Sequence, residues 1–180
     1  MAPQPRQQPT PAPGSFQLPV AYRVFFLLIE PVSALVGAYY AHFGQRHYLE
    51  LTDAASSPTS GGGDIPRGTA IALSQLANLY LLFALNEALV LRSTNDLRVW
   101  RVVLAVLLLA DLGHLWTVRP LGWAVYWRAD RWNAIDWGNV PFVYLGASMR
   151  VAFLSGVGLG GAGGGGAAAA RGGSGRAKAA

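Results

Sequence analysis

The chain has 180 residues, a formal charge of +5, 52% hydrophobic residues and only 13% charged ones, about half the charged share of an ordinary soluble domain. That composition excludes a conventional water-facing surface, and the length allows one domain. With no cysteine, disulfides, thiolate nucleophiles, cysteine zinc sites and palmitoyl anchors are excluded as well.

Residues 1–17 are rich in Pro and Gln, with Arg6 as their single charge. They cannot bury enough apolar surface to fold alone and are expected to form a disordered arm. The first apolar run, about 18–43, is longer than a signal-peptide core and follows a proline-rich segment, so it is expected as a retained span. From Gly44 to Gly68 the chain turns polar, and Ser56-Ser57-Pro58 with glycines at 61–63 predicts an extramembrane loop. Spans two and three, about 69–91 and 98–118, are joined by a short polar turn and should form an antiparallel hairpin. The connection from Arg119 to Asp136 crowds Trp123, Tyr126, Trp127 and Trp132 beside Arg128 and Arg131, residues that favour headgroup depth. A fourth span is expected at about 137–159, followed by a disordered Gly/Ala-rich basic tail at 160–180.

The fold expectation is therefore all-α: a polytopic membrane four-helix bundle over 18–159 with disordered tails. Four spans place both termini on one side, with seven basic residues (Arg6, Arg92, Arg98, Arg101, Arg171, Arg176, Lys178) against five (Arg46, Arg67, Arg119, Arg128, Arg131) on the other. The positive-inside bias then favours cytosolic termini. Because the arginines stand singly at the edges of apolar runs, they read as interface residues, with membrane lipids and not nucleic acid as the partner.

Glu30, Glu87, Asp111 and His114 fall inside these runs, where an ionisable group costs about 2.5–3.5 kcal/mol at mid-membrane. Such groups seldom face lipid. At 100° per residue Arg23, Glu30, Ser33, Gly37 and Ala41 share a stripe of span one, and Ser33, Gly37 and Ala41 form a small-xxx-small series open to another backbone. Glu30 should point inward, and Pro31 should kink the helix next to it by depriving the carbonyl four residues earlier of its donor. In span two Gln75, Asn78 and Asn86 fall on one face, with Glu87 about 100° around from Asn86. Asp111 and His114 are three apart, so carboxyl and imidazole can act on one object.

If all three acids ionised against Arg150 alone, the core would hold a net charge of about −2, which low dielectric disfavours; a shared proton or a charged His114 is expected instead. Arg150 has the alternative of reaching to the interface on its apolar stem. Such a cluster suits acid/base work on a greasy substrate or proton relay, and suits interhelical hydrogen bonding equally well. One Asp-x-x-His with two separate glutamates is too thin for a carboxylate-bridged metal centre, so neither metal nor cofactor is expected.

The string LPVAYRVFFLLIEPVSALVGAYYAHF, then Gln75 with Asn86-Glu87-Ala88, Asp111-Leu112-Gly113-His114-Leu115 and Trp137-Gly138-Asn139 resembles a family of small fungal four-span membrane proteins classed as a domain of unknown function. That resemblance implies the architecture and a fungal source. In arrangement, acids on the first three helices with a histidine on the third are similar to the emopamil-binding, sterol-isomerase-like superfamily, which implies an endoplasmic reticulum or other endomembrane location.

The leading functional expectation is a protein that binds, and on the catalytic reading isomerises, a hydrophobic sterol- or terpenoid-like molecule in a polar pocket between its helices. Asp111 and His114 would be the acid/base pair, Glu30 would stabilise a positive centre, and Glu87, Asn78, Asn86 and Gln75 would complete the ligand site. The alternatives are a non-enzymatic scaffold or assembly factor docking partner helices, and a proton-coupled carrier working as a homo-oligomer.

Overall fold

The computed structural model describes residues 18–58 and 63–159; the arm 1–17 and the tail 160–180 lie outside them. Among the described residues every regular element is helical. Three helices are long and apolar enough to cross a membrane: α1 (Val20–Phe43), α3 (Arg67–Ser93) and α4 (Leu97–Leu121). Between the first two lies α2 (Gln45–Thr52), and after α4 come α5 (Ala134–Asn139) and α6 (Pro141–Leu154).

α1 packs on α3, and α4 on α6. One end of the bundle is plugged by Tyr22, Phe25, Phe26, Leu91, Trp100, Leu104, Leu107 and Phe153. Phe153 stacks on Trp100 at 5.7 Å and meets Tyr22 edge-on at 5.2 Å. The outer faces are apolar too: Phe43 is 74% and Leu109 71% exposed. Hydrophobicity on both the inner and outer faces of a helix is the pattern a hydrocarbon solvent demands.

Four sequence expectations need correcting. The polar stretch after the first span is not all loop, because it contains α2, whose Gln45 donates to Ala70 O and to Ser74 Oγ at 3.2 Å each. Its Tyr48 hydroxyl lies 3.2 Å from that of Tyr80, and burial together with Tyr80 pushes the Tyr48 phenol up.

The fourth apolar run is not one helix. Pro141 lacks an amide hydrogen and disfavours helical backbone in the residue before it, and the chain breaks there into α5 and α6. A capping box of Asn133 and Asp136 starts α5, and Asn133 Nδ2 also donates to Leu51 O at 2.7 Å. At the other end Gly156, with φ +83°, donates to Phe153 O while Val157 donates to Ala152 O. This Schellman closure ends α6 at Leu154. Fourteen residues span about 21 Å, short of the roughly 30 Å hydrocarbon core.

Pro31 does not simply kink α1. The helix widens into a π-turn over Phe25–Ile29, and Arg92 Nη2 of α3 donates to Leu27 O at 2.7 Å, supplying the donor that Pro31 cannot. Arg92→Ala should therefore lower the thermal midpoint of the detergent-purified protein by roughly 2–8 °C, about 1–2 kcal/mol. Arg101→Ala, an exposed control, should leave it unchanged; equal shifts would remove this role.

Finally, Arg150 does not reach the interface: it is fully buried.

Candidate functional site

The buried plug and the buried charges follow from the same helix stripes. Glu30 stands four residues from Phe26, Glu87 four from Leu91, Asp111 four from Leu107 and Arg150 three from Phe153, and each plug residue named is itself buried. The inward face of each of these four helices thus carries its ionisable residue one turn deeper than the aromatic end. Two of the acids adjoin widened helix: Glu30 follows the π-turn of α1, and Glu87 lies within a second π-turn, Asn86–Val90. Such single-turn widenings gather at functional sites.

Arg150 is the hub. Its Nη2 donates to Glu30 Oε1 at 2.7 Å and to Glu87 Oε1 at 3.2 Å, while Nη1 donates to Asp111 Oδ2 at 2.8 Å. Four helices are thereby joined through one planar guanidinium, whose fork geometry suits several carboxylates at once where a lysine would not. The Phe26 and Phe83 rings lie 5.6 and 5.7 Å from its central carbon, adding cation–π attraction. Space comes from Gly146, one turn earlier on α6: a Cβ there would lie 2.8 Å from Arg150 Nη1 and 3.1 Å from Glu30 Oε1.

The balance of this cluster is incomplete. Three carboxyls meet one guanidinium, and Glu30 Oε2, Glu87 Oε2 and Arg150 Nε are buried without a hydrogen-bond partner. The two glutamate carboxyls lie within hydrogen-bonding reach of each other. A single proton held between them would satisfy an oxygen on each and halve the excess charge from two to one. Two bare carboxylates side by side in a dry interior would be far costlier.

The other sequence-selected residues fall elsewhere. Asp111 and His114 share α4, but no hydrogen bond or ion pair joins them. Asp111 is held by Arg150, whereas His114 lies within hydrogen-bonding reach of Asn139 at the end of α5, with Nε2 buried and unpartnered. They are therefore not arranged as an acid/base couple. Gln75 and Asn78 are exposed, and Asn86 is satisfied locally, donating to Leu82 O at 3.0 Å. The reason is angular. Nine residues at 100° each separate Asn78 from Glu87 by half a turn, so a helix that buries one presents the other outward. In α1 the small-residue stripe does admit a neighbour: a Cβ added to Gly37 would lie 3.4 Å from the Tyr80 ring, and Ala41 is fully buried. Among the described residues no group of three or more His, Asp or Glu side chains could hold a metal ion.

Sequence reasoning placed Arg150 in the charge count but not at the hub, and missed Gly146 altogether. The signal for the first was present, since Arg150 is the lone counter-charge available to three buried acids.

The fold and site define an all-helical protein with three membrane-length helices, organised around a buried guanidinium–carboxylate cluster. The chain belongs to the family described as domain of unknown function DUF7704, whose model matches residues 15–160. It matches no curated protein and no solved structure.

Proposed function

We propose that this is an integral endomembrane protein of fungal type, its chain crossing the bilayer four times, that binds a hydrophobic sterol- or terpenoid-like molecule beside the Glu30–Glu87 pair. The broken α5–α6 segment serves as the fourth crossing, and cytosolic termini follow from the basic-residue asymmetry. The carrying observation is the pair of orphaned, buried oxygens, Glu30 Oε2 and Glu87 Oε2, in a cluster with more carboxyls than counter-charge. Such atoms call for a proton or for a ligand group that donates one. Once protonated, the pair has the chemistry to hydrogen-bond a hydroxyl or to stabilise a positive centre on an apolar substrate. This shifts the centre of the proposed chemistry from Asp111 and His114 to Glu30 and Glu87.

Glu87→Gln tests it, because a carboxamide keeps the shape and one donor of a protonated carboxyl while removing its transferable proton. In native membranes the variant should keep its abundance within about twofold and lose photolabelling by a diazirine sterol and a diazirine terpenoid by at least about tenfold, or 1.4 kcal/mol. Unchanged labelling would sink the ligand reading.

The second reading, a scaffold that docks other helices, is favoured by Gln75 and Asn78, whose amides face outward from the middle of α3. It expects unchanged labelling together with lost abundance.

A further inference from the structure

We infer that two copies of this chain pair through the outer face of α3. The inference rests on α3 crossing the membrane but not on any ligand at the central cluster.

α3 carries two seams. The inner one, Leu73, Ala77, Ala84, Glu87 and Leu91, is buried inside the chain. On the other side Ile71, Gln75, Asn78, Leu82 and Leu85 recur at steps of four, three, four and three residues, the spacing of a left-handed coiled-coil seam. All five are exposed, Ile71 at 54% and Leu82 at 55%.

The two amides say what covers this face. Gln75 and Asn78 lie eight and eleven residues beyond Arg67, about 12 and 17 Å along a helix roughly 40 Å long, and so near mid-bilayer. Among the described residues neither side chain has a hydrogen-bond partner. Acyl chains offer none, and an unpaired amide in hydrocarbon costs several kcal/mol.

A carboxamide is donor and acceptor at once, so it complements itself. A two-fold axis along the membrane normal brings Gln75 and Asn78 of one copy to the same depth as Gln75 and Asn78 of the other. A foreign helix would need matching groups at both depths; a second copy carries them by construction. Beside the seam a groove of about 340 Å³ between α1 and α3, lined by Leu35, Ala38, Ala77 and Asn78 among others, leaves room for the partner's side chains.

The natural chain has no cysteine, so single substitutions report pairing without background. Ile71→Cys, Asn78→Cys and Leu82→Cys, each in the full-length protein in native membranes, should give on oxidation a species of twice the 19.1 kDa chain mass. Val106→Cys and Leu109→Cys, exposed on α4, should not. The combined change Gln75→Leu with Asn78→Leu should weaken self-association in bilayers by about 3- to 30-fold with abundance retained. Equal cross-linking at all five positions, no seam cross-link in carbonate-washed membranes, or an adduct of another mass would overturn the pairing. Release of the chain by carbonate would overturn the membrane reading beneath it.

Discussion

Arg150→Met removes the folded protein from membranes at neutral pH. Methionine fills much of the space and favours helix, so the change isolates the charge. Without the guanidinium, Glu30, Glu87 and Asp111 lose all three of their ion-pair contacts, and none of them has an alternative cation among the salt bridges present. Removing one partner from a buried ionic cluster typically costs about 3–5 kcal/mol, a large share of the roughly 5–15 kcal/mol that holds a domain folded. The expected observation is a fall in membrane abundance of at least about tenfold, with the residue aggregated or degraded.

The sign of the pH dependence follows from the same charge count. The defect is surplus negative charge, and protons added at acidic pH neutralise it, so detergent-purified Arg150→Met should be relatively more stable at pH 5 than at pH 8. Adding Glu30→Gln and Asp111→Asn should restore part of the loss, because all three positions belong to one network and their effects couple. A variant as stable as the natural chain at pH 8, or one that the two neutral substitutions do not help, removes Arg150 from the hub.

Gly146→Ala is the second large effect, although it adds only a methyl group. The new carbon would stand 2.8 Å from Arg150 Nη1, closer than real Cβ contacts allow. The tip of an arginine can ordinarily swing aside, but this one is tied by Nη1 to Asp111 and by Nη2 to Glu30 and Glu87. Moving it lengthens bonds to three other helices. Overpacking of this kind costs about 1–3 kcal/mol, which should lower the thermal midpoint by roughly 2–12 °C. Gly138→Ala, where an added carbon meets nothing within 4 Å, is the matched control. If the two substitutions shift the midpoint equally, the close approach at Gly146 carries no special role.

The same cluster shows how far sequence reasoning reaches. Glu30 was readable as inward because it lies on the stripe of Ser33, Gly37 and Ala41, and helical angle alone suffices for that inference. Asn78 and Glu87 are both expected at the ligand site, which one straight helix facing a single pocket cannot satisfy at a separation of nine residues. The angular arithmetic alone excludes it, and the structure buries Glu87. Asp111 and His114 stand three residues apart on one helix, yet that spacing does not provide a shared partner. Asp111 meets Arg150 from α6, and His114 meets Asn139 from α5, a division created by the helix break at Pro141.

Local chemistry determined what could be determined one helix at a time. The long apolar runs specify four spans, of which the structure gives three as single membrane-length helices; Pro31 specifies an orphaned carbonyl at Leu27, and three acids in those runs specify a need for counter-charge or protons. Each inference depends on neighbours within a few turns of the same chain. Only the tertiary structure decided which groups meet: that Arg150 serves three helices at once, that Arg92 caps Leu27 from 65 residues away, and that Gly146 must lack a side chain. Those outcomes depend on distances between helices, and packing, not periodicity along the chain, sets those distances.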